Sequence, residues 1–168
     1  MRKQRLIPQV VACAIVCFSL TSCTSRTVLS GTDTDSGDRL KVWFAKQAGD
    51  DLRLVPVWRQ SSSSDRLKEA VEELLKGPSD QEIASGLGSE IPRGTILLGT
   101  APAGNDVELN LSRRFASGGG ARSLETRIDQ LSRTVADCAG DKKVFLSVEG
   151  ERIYTAAGEG LEIKQPLN

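Results

Sequence analysis

The sequence contains no histidine, and this absence removes several kinds of catalytic site at once. Histidine is the usual general base at neutral pH and the commonest metal ligand, so Ser-His-Asp and Cys-His arrangements are excluded. Aromatic residues make up only 4% of the chain, which is low for a protein that stacks on bases or sugars. Lys and Arg number 22, as do Asp and Glu, so the basic surplus typical of nucleic-acid binding is missing. We therefore expect no metal, no organic cofactor and no nucleic-acid partner.

The sequence also lacks an apolar run long enough to span a bilayer as a helix. Arg2, Lys3 and Arg5 form a basic start, and the uncharged, mostly apolar run from Val10 to Leu20 that follows is too short to span. A basic start followed by a short apolar run is typical of a signal peptide. The run ends in Leu20-Thr21-Ser22-Cys23, which resembles the lipobox of bacterial lipoproteins.

The lipobox resemblance implies that lipid is attached to the Cys23 thiol and that residues 1–22 are removed as a lipoprotein signal peptide. The mature chain is then held at a membrane surface, since two or more acyl chains anchor a protein that one chain does not. The alternative is an ordinary signal peptide with an incidental cysteine. Cys13 and Cys17 are weaker candidates, because a cut at Cys13 leaves a very short apolar run and Cys17 follows the bulky Val16.

Removal of residues 1–22 leaves a mildly acidic chain in which Cys138 has no disulfide partner. The removed segment holds three basic residues and no acidic ones, and Cys23 carries lipid. A disulfide scaffold is therefore excluded, and a buried free thiol is favoured over a reactive or intermolecular one. Residues 23–38 are rich in Ser, Thr, Gly and Asp, which indicates a flexible tether before a domain at residues 39–168.

Hydrophobic periodicity in the first half of the domain predicts a hairpin followed by a helix. The hairpin strands are Leu40–Phe44 and Leu52–Arg59, and Pro56 indicates that the second strand either lies at an edge or bends at that point. Ser61–Ser64 offer N-cap side chains to the helix that follows. Residues 79–93 have no sustained period, so we expect a long ordered loop there with at most one helical turn.

The second half repeats this order without repeating the sequence. A hairpin is predicted at Thr95–Thr100 and Val107–Leu111, a helix at Leu124–Val135, and strands at Val144–Val148 and Leu161–Ile163. Each amphipathic helix needs a sheet on which to bury its apolar stripe. The order ββαββαβ therefore predicts a two-layer α+β sandwich with a mixed or antiparallel sheet and two helices on one face.

Several segments in this order resemble the GerMN domain of bacterial sporulation and spore-germination proteins. They are the helix Leu67–Pro78, the strand entry Ile91–Thr95, the strand end Val107–Phe115, the glycine run Gly118–Gly120 and the strand Val144–Gly150. The resemblance covers roughly Leu40 to Leu167. It implies an envelope lipoprotein module that is similar in layout to ring-building domains, serves protein association and carries no catalytic residues.

These inferences favour a non-catalytic, lipid-anchored protein of the cell envelope that faces the periplasm or the exterior. Its GerMN-like domain is expected to bind or scaffold other envelope proteins or further copies of itself. One alternative is a module that binds peptidoglycan fragments, which an aromatic-lined cleft would favour. A less favoured alternative is a small cell-wall hydrolase, which would need two carboxylates at catalytic spacing across a cleft.

A candidate interaction surface lies where a strand end, a turn and a helix start converge. Its residues are Arg113, Arg114, Gly118, Gly119, Gly120 and Arg122. A glycine run before a helix also suggests anion binding, but neither phosphate-loop signature is present, so a conformationally free lead-in is favoured. Trp43 and Trp58 are candidate anchors for a partner, although core packing is expected for at least one of them.

The lipobox interpretation makes a direct prediction about Cys23. Cys23→Ala should block lipid transfer, because the thiol that accepts the lipid is gone. The precursor should then remain uncleaved and should no longer incorporate radioactive palmitate, which labelling followed by gel electrophoresis measures. Continued labelling of the variant would show that the lipobox interpretation is wrong.

Overall fold

The structure is a computed structural model that describes residues 39–49, 51–155 and 161–168. The predicted signal peptide at residues 1–22, the lipidation site Cys23 and the tether at residues 23–38 lie outside the described residues. Within the described ranges, no helix is long and apolar enough to cross a membrane.

Alternating apolar and polar residues build the first hairpin, and a one-faced helix follows it. The elements of this half are β1 (Arg39–Ala48), β2 (Asp51–Gln60), α1 (Arg66–Lys76), α2 (Asp80–Ala84) and β3 (Leu87–Gly88). β1 pairs antiparallel with β2 on one side and with the two-residue strand β3 on the other. β2 is therefore an edge strand, as predicted, and β1 is the central strand of a three-stranded sheet.

Pro56 occupies a position in β2 where its missing N–H breaks no ladder bond. It faces Trp43 of β1, whose backbone N–H and C=O are bonded to the side chains of Thr134 and Gln130. Opposed residues of an antiparallel pair exchange both hydrogen bonds or neither, so Trp43 and Pro56 form a non-hydrogen-bonded pair. Pro56 therefore removes a donor from the outer side of the edge strand, which makes that edge a poor template for another strand.

The second half forms a four-stranded sheet with one crossover helix. Its elements are β4 (Leu97–Ala103), β5 (Asp106–Leu111), a 3₁₀ helix (Arg113–Ala116), α3 (Gly120–Ala136), β6 (Val144–Val148) and β7 (Glu151–Arg152). The strand order is β4-β5-β6-β7, in which β5 and β6 are parallel and the other pairs are antiparallel. A parallel pair needs a crossover connection, and α3 supplies it.

The predicted α+β class is confirmed, with the hairpin-helix unit occurring twice. α1 and α3 pack against each other and against β1. The strands, however, divide into two hydrogen-bonded sheets. The reason lies on the side of β1 that faces away from β2, where β3 pairs with only Ala45 and Lys46 and side chains of α3 bind the backbone of Trp43. The α3 side chains thus occupy backbone groups of β1 that a strand of the second sheet would need.

The N-terminus of α1 is capped by Asp65 and not, as predicted, by the serines Ser61–Ser64. The Asp65 carboxylate accepts a backbone N–H of the first turn at 3.1 Å. The serines bind the Glu69 carboxylate instead, to which the Ser61 hydroxyl donates at 2.7 Å and the Ser62 N–H at 2.9 Å. These bonds, the one from Ser61 first, lower the pKa of Glu69 to about 2.

The C-terminal segment closes the second sheet with side chains. The predicted strand Leu161–Ile163 is wrong, since only the isolated bridge between Thr155 and Glu162 forms there among the described residues. The Gln165 side chain lies along β6, where Oε1 accepts the Leu146 N–H and Nε2 donates to the Leu146 carbonyl, both at 3.0 Å. This amide group thus makes the two hydrogen bonds to Leu146 that a neighbouring strand would otherwise make.

One hydrophobic core joins both sheets and both long helices. Its fully buried members include Val42 and Phe44 from β1, Val71 and Leu74 from α1, Leu109 and Leu111 from β5, Leu131 and Val135 from α3, and Val144 and Leu146 from β6. Because every major element contributes to this cluster, truncation of a large side chain in it leaves a destabilising cavity among residues of several elements.

Leu131 and Leu98 provide a matched test of this core. Leu131 is fully buried, whereas 48% of Leu98 is exposed. Leu131→Ala should lower the free energy of unfolding by about 2 to 5 kcal/mol, through lost transfer energy and a residual cavity. Leu98→Ala should change it by less than about 0.5 kcal/mol. Urea unfolding followed by circular dichroism measures both values, and equal losses would contradict this assignment of the core.

Candidate functional site

The predicted interaction residues lie on both sides of one tight turn. Arg113 and Arg114 are exposed on the 3₁₀ helix, and Arg122 is exposed in the first turn of α3. Between them, Gly118, Gly119 and Gly120 have φ values of 70°, 87° and 73°. Residues with a Cβ rarely adopt this left-handed conformation, so three consecutive glycines are what permits the chain to reverse into α3.

This turn is fixed from the inside by Arg127, whose side chain is only 3% exposed. Its guanidinium group donates to the carbonyls of Phe115 at 2.8 Å, Ser117 at 3.1 Å and Gly118 at 2.6 Å. It also donates to the carbonyl of Glu90 at 2.8 Å, in the loop after β3. The glycine run, predicted to be conformationally free, is therefore held in one conformation by a buried cation.

Burial lowers the pKa of the Arg127 guanidinium, and the nearby Glu90 carboxylate opposes this shift. Arginine remains charged because its usual pKa lies far above neutrality. A buried charge is tolerated only when it is fully hydrogen-bonded, and the carbonyls around Arg127 provide that environment. The group is thus structural and holds the turn that presents the exposed arginines.

Two further buried polar residues, Gln130 and Thr134, lie on the same face of α3 as Arg127. The Gln130 Oε1 accepts the Glu90 N–H at 3.0 Å, and its Nε2 donates to the Trp43 carbonyl at 3.1 Å. The Thr134 hydroxyl accepts the Trp43 N–H at 3.1 Å and donates to the Gln130 carbonyl at 2.8 Å. We call Arg127, Gln130 and Thr134 the polar row of α3.

The polar row was missed by the sequence reasoning, which marked only the apolar stripe of this helix. A signal was present in the spacing, because residues three and four apart lie on the same face of a helix. Arg127, Gln130 and Thr134 follow that spacing and lie beside the apolar residues Leu124 and Leu131. Spacing alone, however, does not distinguish a buried polar row from a solvated one.

The surface around the turn carries an excess of positive charge. The Arg114 Nε donates to the Arg93 carbonyl at 3.0 Å, which brings a further exposed arginine next to the 3₁₀ helix. The Arg113 backbone N–H donates to the Glu149 carboxylate at 2.7 Å. The first turn of α3 contains no acidic residue, and its N-cap Gly119 supplies no side-chain cap. Such a surface attracts carboxylate groups.

Trp58 lies exposed on the first hairpin between two cations. Its side chain is 48% exposed. The Arg39 guanidinium lies 5.3 Å and the Lys41 ammonium 5.4 Å from the centroid of its ring. These are cation–π distances.

Trp43 is half-buried against the end of α3. Its indole N–H donates to the Asp137 carboxylate at 2.7 Å, and the Arg133 guanidinium lies 5.1 Å from its ring centroid. The prediction that at least one tryptophan packs in the core is wrong, since neither is buried. The reason is the alternation of β1, which directs Val42 and Phe44 to the core and Trp43 to the opposite face.

A cleft of about 600 Å³ lies between the start of α1, the turn joining β4 to β5 and the residues that follow α3. No aromatic side chain lines it. Two carboxylates do, but Asp65 accepts the Lys68 N–H at 3.1 Å and Asp106 accepts the Lys143 N–H at 3.0 Å. Both carboxylates hold the backbone, so the cleft favours neither the sugar-binding alternative nor the hydrolase.

Cys138 also lines this cleft and is a half-buried free thiol. Burial raises the pKa of the Cys138 thiol, with Arg66 opposing the shift. A raised pKa keeps the sulfur protonated and unreactive at neutral pH, which favours the structural interpretation of this cysteine.

The described ranges contain no group of three or more His, Cys, Asp or Glu side chains that could hold a metal ion. The described residues form a small α+β domain whose candidate functional features lie on its surface. The model of the family "Germane: Sporulation and spore germination" matches residues 41–154, and the chain belongs to this family. The GerMN resemblance noted in the sequence is thereby confirmed.

Solved structures agree on the fold. The first GerMN domain of the sporulation protein GerM from Bacillus subtilis is similar over 77% of this chain and 96% of its own, with a TM-score of 0.59 and 16% identity. The tandem GerMN domains of the same protein match 67% of this chain with a TM-score of 0.54 and 24% identity, and this chain covers 39% of that structure. No curated protein matches the sequence.

Gly118 and Gly119 give a matched test of the turn. Gly118→Ala should lower the free energy of unfolding by about 1 to 2 kcal/mol, since alanine is strained at positive φ but meets nothing within 4 Å. A Cβ at Gly119 would collide with the side chains of Arg127 and Ser123. Gly119→Ala should therefore cost about 3 kcal/mol or more, because it also separates a buried cation from its acceptors. Similar losses by urea unfolding would contradict the role of Arg127.

Proposed function

We propose that this chain is a non-catalytic, lipid-anchored protein of the cell envelope whose GerMN-like domain binds or scaffolds other envelope proteins or further copies of itself. The lipobox resemblance at Cys23 supports the anchor. The observation that carries the association role is the arginine surface around residues 113–122, displayed on a turn that a buried cation holds rigid.

Rigidity matters for binding because a surface that is already ordered loses little conformational entropy when a partner docks. Arg127 fixes the turn, and the Arg114 bond to the Arg93 carbonyl limits the freedom of one exposed guanidinium. Arginine is enriched at protein interfaces and can bind carboxylates through two parallel hydrogen bonds. The partner that fits this surface is a protein with exposed Asp or Glu side chains.

The sheet edges favour this surface over strand addition. Pro102 of β4 faces Val107 of β5, whose N–H donates to the Lys143 carbonyl on the far side. Pro102 therefore lies in a non-hydrogen-bonded pair and removes an outward donor from β4, as Pro56 does on β2. Gln165 occupies the edge of β6. Since strand addition needs unpaired backbone donors and acceptors, association by a loop and a helix start is favoured.

The test combines cross-linking with charge reversal. A photo-reactive residue at Ala116, which is exposed between the arginines, should form a covalent adduct with the partner in intact cells. Arg114→Glu with Arg122→Glu should strongly reduce that adduct, because the like charges then repel an acidic partner. The thermal melt should stay nearly unchanged, since exposed charges contribute about 0 to 1 kcal/mol each. An adduct with twice the mass of the chain identifies a second copy.

The matched control places the same charge change on another exposed site. Lys142→Glu with Lys143→Glu should leave the adduct at position 116 unaltered. An adduct that persists in the well-folded Arg114 and Arg122 variant would exclude this surface. A collapsed melt in that variant would show instead that these arginines support the fold.

A further inference from the structure

The solvent face of the first hairpin has an unusual composition. We define the outer hairpin face by the alternate residues of β2 and their partners on β1, which are Leu52 with Gln47, Leu54 with Ala45, Pro56 with Trp43, Trp58 with Lys41, and Gln60 with Arg39. The solvent side of an antiparallel sheet is ordinarily polar. Here four of the five positions that β2 contributes are apolar, and 40% of Leu52 and 48% of Trp58 are exposed.

The opposite side of β2 combines the apolar Val55 and Val57 with the charged Asp51, Arg53 and Arg59. Val57 packs against the hydrophobic core, and Arg59 on the same side forms an ion pair with Glu82 at 2.6 Å. The Arg59 guanidinium also lies 5.5 Å from the Phe44 ring centroid. The apolar residues of the outer hairpin face therefore lie on the side of β2 that faces away from the core. An exposed apolar patch of this kind is typical of a contact with another surface.

Cations surround the tryptophans of this face. Arg39 and Lys41 lie beside Trp58, and Arg133 lies over Trp43. The Asp137 carboxylate accepts from the Lys41 ammonium and the Trp43 indole. Tryptophan with flanking Lys and Arg is the composition that proteins place at the boundary between lipid headgroups and acyl chains.

The outer hairpin face also begins where the predicted tether ends. Arg39 is the first residue of β1, and about 15 residues separate it from Cys23. A flexible chain of this length spans on average about 20 to 25 Å and at most roughly 55 Å. A lipid on Cys23 would thus keep this face at a high effective concentration near the bilayer.

We propose that the outer hairpin face docks on the anionic phospholipid surface to which the chain is anchored. Leu52 and Trp58 enter the interface, and Arg39 and Lys41 contact lipid phosphates. Arg122 lies near the start of α3 and Asp137 directly after its end, so a 17-residue helix, about 25 Å long, separates the arginine surface from the membrane contact. This inference rests on the proposed lipid anchor and adds an orientation to it.

The two tryptophans of the chain are both on this face, which makes their fluorescence a direct probe. The full-length lipidated chain, as the variant Trp43→Phe, would be reconstituted into vesicles of phosphatidylcholine and phosphatidylglycerol with brominated acyl chains. Trp58 emission should shift to shorter wavelength and lose intensity relative to unbrominated vesicles, because bromine quenches a nearby indole. Omission of phosphatidylglycerol should relieve the quenching.

Matched variants test the charges. Arg39→Gln with Lys41→Gln should relieve the quenching while the chain still floats with the vesicles and melts as before. Arg113→Gln with Arg114→Gln removes the same charge from the other surface and should leave the quenching unchanged. Quenching that survives both the loss of phosphatidylglycerol and the loss of Arg39 and Lys41 would overturn the proposal.

Flotation separates failure of the docking from failure of the anchor. A chain that floats while Trp58 stays unquenched retains its anchor and overturns the docking. A chain that does not float overturns the anchor and the docking together. An emission shift without quenching that grows with the protein-to-lipid ratio would identify a second copy on this face, which also overturns the proposal.

Discussion

The fold depends on a row of buried polar side chains on α3 that bind backbone groups of other segments. Arg127 gathers the carbonyls of the turn before the helix and of the loop after β3, and Gln130 and Thr134 complete the hydrogen bonds of Trp43 in β1. A buried cation that loses its acceptors is far more costly than a lost surface bond. These contacts therefore fix how the helix, the first sheet and the glycine turn sit relative to one another.

Side-chain amides also decide where the sheets end. Gln130 donates to the Trp43 carbonyl at the edge of β1, and Gln165 binds both the N–H and the carbonyl of Leu146 at the edge of β6. Proline removes one outward donor from each of two long edges, Pro56 from β2 and Pro102 from β4. These features disfavour strand addition at the edges, which supports the proposal that the domain associates through faces and turns.

Two exposed surfaces of the domain differ in their chemistry. The arginine surface around residues 113–122 is charged and rigid, whereas the outer hairpin face combines apolar side chains with cations around Trp58. The first suits acidic groups of a protein, and the second suits a lipid interface. Their separation along α3 would allow a tethered domain to contact a membrane and a partner protein at the same time.

The sequence by itself determined the α+β class, both long helices, the hairpins, the edge position of β2 and the family. These follow from local periodicity and turn residues, which need only neighbours in the chain. The division into two sheets and the role of Arg127 were decided by the tertiary structure. Gln130 and Thr134 bind Trp43 across 87 and 91 residues of sequence, and no local pattern specifies which distant backbone group a polar side chain will satisfy.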